Sequence, residues 1–552
     1  MRIRLLVLSL AAVAIQAQPV ITYRGIVNAG SLAPPGLPNA GLARGGIFTI
    51  FGANLGPATP ATVNSYPLGP SFNGVNISVT QGSISVSAIP IFVSASQVNA
   101  ILPSNTPLGT ASLRLGYNGK LSQLVPVEVV ENAPGIFAIS SGGFGPGVVQ
   151  NVVSQTVLPV NSLDTPATRG QLITIWATGL GRVTHPDNIA PPAQDLDVPV
   201  TITIGEKDAL RIYAGRSPCC SGVDQISVRV PDDTPTGCWV PLRVKAGNTV
   251  SNTVTIAVSA TTGTICSDTA NPFTNLMRTS KRQGMILMDR TQHYINTHIA
   301  TVEQNTTESA RAYFLSRDDS PFLFDPQFSY PPNGSCMVQQ TSGNVLRGAS
   351  LRGAPAASSA LDAGSSLTMT TNQASTVDIP RIAIPQTGYA GSLGSLRPSD
   401  GVGLLKLDFP NSVSVSYSGP IGSASIQPNL ANAFAWSGRA SLDRIVRSAP
   451  LNISFTPNDF SAATELAIVS YSAVQNASTA ITCLAAPGVG QFNLTTDLLS
   501  YLPPSTGKPD GSITLIGLGA LPLSRAVSFN SSGLDAGLLL FTQWQNKSVY
   551  VQ

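Results

Sequence analysis

Arg44-Gly45-Gly46-Ile47-Phe48-Thr49-Ile50-Phe51 and Arg169-Gly170-Gln171-Leu172-Ile173-Thr174-Ile175-Trp176 are one strand written twice, 125 residues apart. Each is followed by a Leu-Gly pair, Leu55-Gly56 and Leu180-Gly181. Gln97 to Pro103, with Pro107 and Gly109, recurs as Gln225 to Pro231, with Pro235 and Gly237, at an offset of 128. Val125, Val127 and Val129 recur as Val254, Ile256 and Val258 at 129. An offset that drifts so little over so many residues marks one module copied with small loop changes.

Each copy reads as strands. Asn76-Ile77-Ser78-Val79 and Thr201-Ile202-Thr203-Ile204 alternate polar with apolar, the period of a half-buried strand. Turn signals such as Tyr117-Asn118-Gly119 and Ala246-Gly247-Asn248 separate the runs. Such spacing fits an immunoglobulin-like sandwich, which has about seven strands in ~100 residues.

The composition agrees. The 552 residues exceed what one core organises and predict several domains. Gly (50) and Pro (43) are abundant, which suits short strands joined by turns. Charged residues are 11% and hydrophobic residues 43%, a balance that excludes disorder. A net charge of +3 without clustered Lys or Arg gives nucleic acid nothing to grip.

The N-terminus reads as an export signal. Arg2 and Arg4 precede the apolar run Leu5 to Ile15, and Ile15-Gln16-Ala17 places aliphatic or small residues for cleavage after Ala17. The run is too short to span a bilayer, which takes about 20 residues. No later segment has that length, so a secreted chain in the periplasm or outside the cell, with no transmembrane segment after cleavage, is expected.

In that setting an even number of cysteines favours disulfides. They are Cys219, Cys220, Cys238, Cys266, Cys336 and Cys483. Neighbouring cysteines pair with each other rarely, because the eight-membered ring is strained. The expectation is that Cys219 and Cys220 each bond to one of Cys238 and Cys266, which leaves Cys336 for Cys483. Zinc is the competing use, but no CxxC spacing and no nearby histidine supports it.

Ile26-Val27-Asn28-Ala29, the Gly46 to Gly56 strand and turn, Gln97-Val98-Asn99 before Pro103, Ala133-Pro134-Gly135-Ile136-Phe137 and Ala177-Thr178-Gly179-Leu180-Gly181 carry a resemblance. In order, they are similar to motifs of a family of secreted acidobacterial proteins whose modules look like the IPT/TIG subclass of immunoglobulin folds. The resemblance spans about residues 21–260. It implies a fold and an export route and brings no catalytic residues. Cys219, Cys220, Cys238 and Cys266 match a cysteine-bearing variant of the family's second module.

Chemistry is sparse. His293 and His298 are five apart, which suits neither a strand face nor a helix face for shared ligation, and His185 lies in a Pro-rich loop. Asp318, Asp319 and Asp325, or Asp195 and Asp197, are the carboxylate groupings open to glycoside hydrolysis. They sit among Pro and Ser, where Asp commonly closes turns. No GxSxG elbow is present. No catalytic, cofactor or metal site is therefore expected. Trp176 aligns with Phe51 and is expected in the core, and Trp239 is expected to cover the disulfide of Cys238 as a sandwich-core tryptophan. Trp436 and Trp544 are less constrained and are the candidates for a sugar-stacking platform, although packing is favoured for both.

The expected fold is all-β. Sandwiches at 21–132 and 133–260 are followed by a β-rich domain at 265–350. A β-sandwich C-terminal region at 351–552 completes the chain, as one or two subdomains. The expected function is a non-enzymatic adhesion, surface or matrix role with an extracellular polysaccharide or cell-surface protein as partner. An accessory carbohydrate-binding protein is the alternative, and a β-rich hydrolase a weaker one.

Overall fold

The computed structural model describes residues 17–552 apart from 297–301, 318, 344–358, 362, 364, 372–375, 383–387, 393–404, 409–422, 427–434, 458–461, 506–510 and 531–532. Residues 1–16 of the expected export signal, His298 and Asp318 lie outside the described residues. The chain is all-β, with tandem immunoglobulin-like sandwiches followed by further packed sheets.

The repeat fixes the same register twice. In module 1, Ile47 pairs with Ile101 and Ile50 with Val98; in module 2, Leu172 pairs with Arg229 and Ile175 with Ile226. Val75 pairs with Tyr117 as Val200 pairs with Ala246. Leu42 lies parallel to Val129 as Ala167 lies parallel to Val258, a parallel closure at the sandwich edge. These pairs follow the sequence offsets residue for residue. Inward positions fill two separate cores, one around Phe48, Ile50, Val98 and Leu113, the other around Ile173, Ile175, Val228 and Leu242.

Alternation also places Trp176, and here the expectation is corrected. Ile173, Ile175 and Ala177 take the inner face, so Trp176 points outward, half-buried, and its indole N–H donates to Gln150 Oε1 at 2.9 Å. Trp239 is 1% exposed but on the outer face of its strand, since Val240 and Leu242 occupy the sandwich core. It packs with Cys238, Cys266 and the helix Pro272–Thr279, and donates to Leu323 O at 2.9 Å. That helix starts at Asn271, whose side chain accepts from Phe273 N with Pro272 in the first turn.

The expected boundary near 350 is crossed by a sheet. The strands Arg282–Asn296 and Val302–Ser316 form a hairpin of fifteen consecutive residue pairs. Arg282–Asn296 also lies parallel to the last strand, Ala536–Val551, from Gln283 opposite Ala536 to Gln292 opposite Gln545. Cys336–Ser342 joins the same sheet through Ala477–Ala485. The described strands between Arg282 and Val551 thus share one layered unit. One face carries a core around Leu466, Ile481, Ile516 and Phe455. The other face, at Met285, Leu538 and Leu540, seats on the outer face of module 2.

The disulfides differ from expectation at one end of module 2. Cys336 bonds Cys483, but Cys238 bonds Cys266 and Cys219 bonds its neighbour Cys220. Cys219 and Cys220 lie in the loop that enters the strand Asp224–Arg229, whereas Cys238 lies beyond the strand's far end. Six residues of extended chain put about 20 Å between those ends, far beyond disulfide reach.

Candidate binding groove

A groove of about 600 Å³ lies along module 1. One wall is the strand Val20–Asn28, the other is Leu124 to Val127, and Leu42 lies between them. That volume falls in the usual range of ligand clefts, roughly 300–1,000 Å³.

A break in the first strand shapes it. Ile21 pairs with Gly52 and the next pair is Ile26 with Ile50, so Thr22 to Gly25 bulge out of the ladder. Arg24 sits in the left-handed region at φ 57°. Gly25 is required because a Cβ there would stand 2.8 Å from Phe51 O. The bulge throws Tyr23 outward to 79% exposure at the rim. Leu124 and Val20 are exposed beside it.

Polar contacts hold the walls. The Gln123 side chain accepts from Ile21 N at 3.3 Å and donates to Ile21 O at 2.6 Å, imitating a neighbouring strand. Arg24 donates to Pro35 O at 3.2 Å, to Val474 O at 3.0 Å and to Gln475 O. Gln475 therefore closes one end of the groove from the turn between Ala463–Ser472 and Ala477–Ala485. The result is an apolar trough with an exposed tyrosine and fixed main-chain polar groups. It suits the flat face of a sugar ring or an apolar side chain, and it presents no acid–base pair.

The residues singled out in the sequence lie elsewhere. Trp436 is buried in the core with Phe455 and Ile453, so it is no platform. Trp544 is half-buried with its ring against Gly519, and its indole donates to Thr542 Oγ1 at 3.0 Å. Asp325 is fully buried, accepts from Arg317 at 2.6 Å and receives Gln327 N at 3.0 Å. Asp319 pairs with Lys281 at the surface, and Asp195 accepts from Ala214 N. The structure does not bring these carboxylates into one site. His185 contacts Pro186 O in its loop, and His293 meets Thr307 Oγ1 at 2.8 Å. No group of three or more His, Cys, Asp or Glu side chains that could hold a metal ion occurs among the described residues. The groove itself went unread in the sequence, although Tyr23-Arg24-Gly25 interrupts an otherwise apolar strand.

No protein-family model and no curated protein matches the chain. Among solved structures it is similar to the plexin A4 extracellular region, at 14% identity over 44% of this chain and 18% of that one, with a TM-score of 0.17. The Bacteroides ovatus mixed-linkage glucan utilization locus protein SGBP-B, solved with a mixed-linkage heptasaccharide, has 13% identity over 50% of this chain and 66% of its own, with a TM-score of 0.19. Domains 5–6 of the S-layer protein SbsC have 14% identity over 44% of this chain and all of theirs, at 0.17. The chain thus spans less than two thirds of the first two. Likenesses this slight carry no argument, and the fold assignment rests on the strand registers.

Proposed function

We propose that this is an exported, non-enzymatic surface protein, cleaved near Ala17, whose tandem sandwiches present the module 1 groove for adhesion. The observation that carries the reading is the groove with Tyr23 at its rim, held by Arg24 against the C-terminal unit. Three disulfides fit an oxidising compartment, and no helix among the described residues is long and apolar enough to cross a membrane. The equal registers of the two modules support the reading of the pair as copies of one immunoglobulin-like module, which we take to be of the IPT/TIG kind.

A carbohydrate ligand is the second reading, and Tyr23 favours it, because an exposed ring beside an apolar trough stacks on a sugar face. The test is a binding screen of the purified protein against polysaccharides and cell-envelope fractions, with Tyr23→Ala alongside. Saturable binding that Tyr23→Ala weakens about tenfold is expected, in line with the loss of one aromatic anchor. Binding that is indifferent to Tyr23 removes the groove from the account. Turnover of a glycan, ester or peptide by the protein would overturn the non-enzymatic reading.

A further inference from the structure

We infer that Cys219–Cys220 is a thiol–disulfide exchange site whose reductant is a dithiol, and that its reduction releases the latch between modules 1 and 2. Among the three disulfides its position is singular. Cys238, Cys266, Cys336 and Cys483 are all buried, at 2%, 1%, 8% and 1% exposure. Cys219 is exposed and Cys220 is half-exposed. An attacking thiolate must reach a sulfur along the S–S axis, so access selects this bond.

The loop that carries it is one of the parts of module 2 that lie against module 1. Ser221 N donates to Tyr66 Oη at 2.9 Å. Gly222 is packed so closely on Ile47 that a Cβ there would stand 2.6 Å from its side chain. Thr178 Oγ1 donates to Gly222 O at 2.7 Å while accepting from Ile47 N at 2.8 Å, so one hydroxyl ties the loop to both modules. Val223 packs on the small apolar cluster of Ile47, Leu68, Ile89 and Ile101. Cys219 and Cys220 sit at the head of this segment, where the ring they close holds the chain as a tight turn: Cys220 N bonds Ser217 O and Val223 N bonds Cys220 O.

The step balances as ordinary exchange. A thiolate of the dithiol attacks Cys219 Sγ, the S–S bond breaks, and Cys220 leaves as a thiolate. The second thiol then attacks the mixed disulfide, releasing Cys219 and closing the reductant's own disulfide. Two electrons and two protons pass to the protein, and the Ser217 hydroxyl, 3.2 Å from Cys219 Sγ, is placed to hydrogen-bond the freed sulfur. With the ring open, the turn regains freedom and the contacts at Tyr66 and Thr178 loosen.

The test is graded reduction of the native full chain with dithiothreitol, alkylation with iodoacetamide and peptide mapping, followed by amide hydrogen exchange. Cys219 and Cys220 should be alkylated at a reductant concentration roughly tenfold or more below that needed for the other four. Simultaneous reduction, or earlier reduction of a buried pair, overturns the exchange site. On reduction, exchange at Ser221, Ile47 and Val183, whose N–H donates to Ser104 Oγ of module 1 at 3.0 Å, should rise about tenfold while Ile226 and Val228 stay protected. Unchanged exchange at the first three overturns the latch, and so does a rise at Ile226 and Val228, which would mean global unfolding. The double variant Cys219→Ser/Cys220→Ser should show the reduced pattern without reductant; an oxidised-like pattern overturns it too.

Discussion

The Arg216 guanidinium and the Asp224 carboxylate form an ion pair with side chains 2% and 0% exposed, at the base of the loop that joins the two modules. Arg216 also donates to Gly181 O at 2.8 Å, and Asp224 receives Leu180 N at 2.7 Å. The Leu180 N–H and the Gly181 carbonyl of the second Leu-Gly motif are thus both satisfied by this pair. A buried pair of this kind is costly to break from one side, because the remaining charge has no partner.

Asp224→Asn and Arg216→Met should each destabilise the chain by about 3–5 kcal/mol, and the double variant should lose less than the sum. Denaturant unfolding followed as a double-mutant cycle checks this. Additive losses would show that the two groups do not act as a pair.

Burial pushes the Asp224 carboxyl up to about 6, against the opposing pull of Arg216 and of the Leu180 and Gly179 amides. Its folded state therefore holds a proton more tightly than the unfolded chain, whose value is 3.8. The contribution is full below pH 3.8 and is lost as pH rises through about 6. Melting of the wild type minus that of Asp224→Asn should therefore shift in favour of the wild type as pH falls from 7 to 4. A flat difference would contradict the raised value.

Trp239 joins module 2 to the C-terminal unit, so Trp239→Ala should cost about 3–5 kcal/mol and separate their unfolding into two calorimetric transitions. Trp176→Ala, on the half-buried outer face, should cost less and leave one pattern of transitions unchanged. Equal losses would contradict the assignment of Trp239 to the interface.

Glu206 and Arg243 grip the main chain of Cys336: Arg243 donates to Cys336 O at 3.0 Å and Glu206 accepts from Cys336 N at 3.1 Å. Cys336–Cys483 then carries that anchorage across the sheet. Replacing both cysteines with alanine should cost about 2–5 kcal/mol, as expected for a bond closing a loop of 147 residues. Differential calorimetry of the oxidised wild type and the variant measures it, and equal stability would assign the anchorage to Arg243 and Glu206 alone.

The modules were legible because a strand's alternation and a constant offset are local properties. Ile47 and Leu172 had to occupy equivalent places, and their partners Ile101 and Arg229 followed at the matching offset. The pairing of Cys336 with Cys483 also followed from the sequence, by elimination. The pairing of Cys219 with Cys220 did not, since it depends on which end of module 2 each cysteine reaches.

Alternation states that Trp176 and Trp239 stand on one face or the other of their strands, but not what covers that face. Trp239 is buried only because the helix Pro272–Thr279 and residues near Leu323 lie on it, and Trp436 only because a second sheet closes over it. The candidate groove is assembled from Tyr23, Leu124 and Gln475, side chains from opposite ends of the chain. Local periodicity and repetition, carried by the sequence alone, determined the β class and the duplicated sandwich. Contacts between distant segments, which no local pattern encodes, decided the vicinal disulfide, the shared C-terminal sheet and the groove.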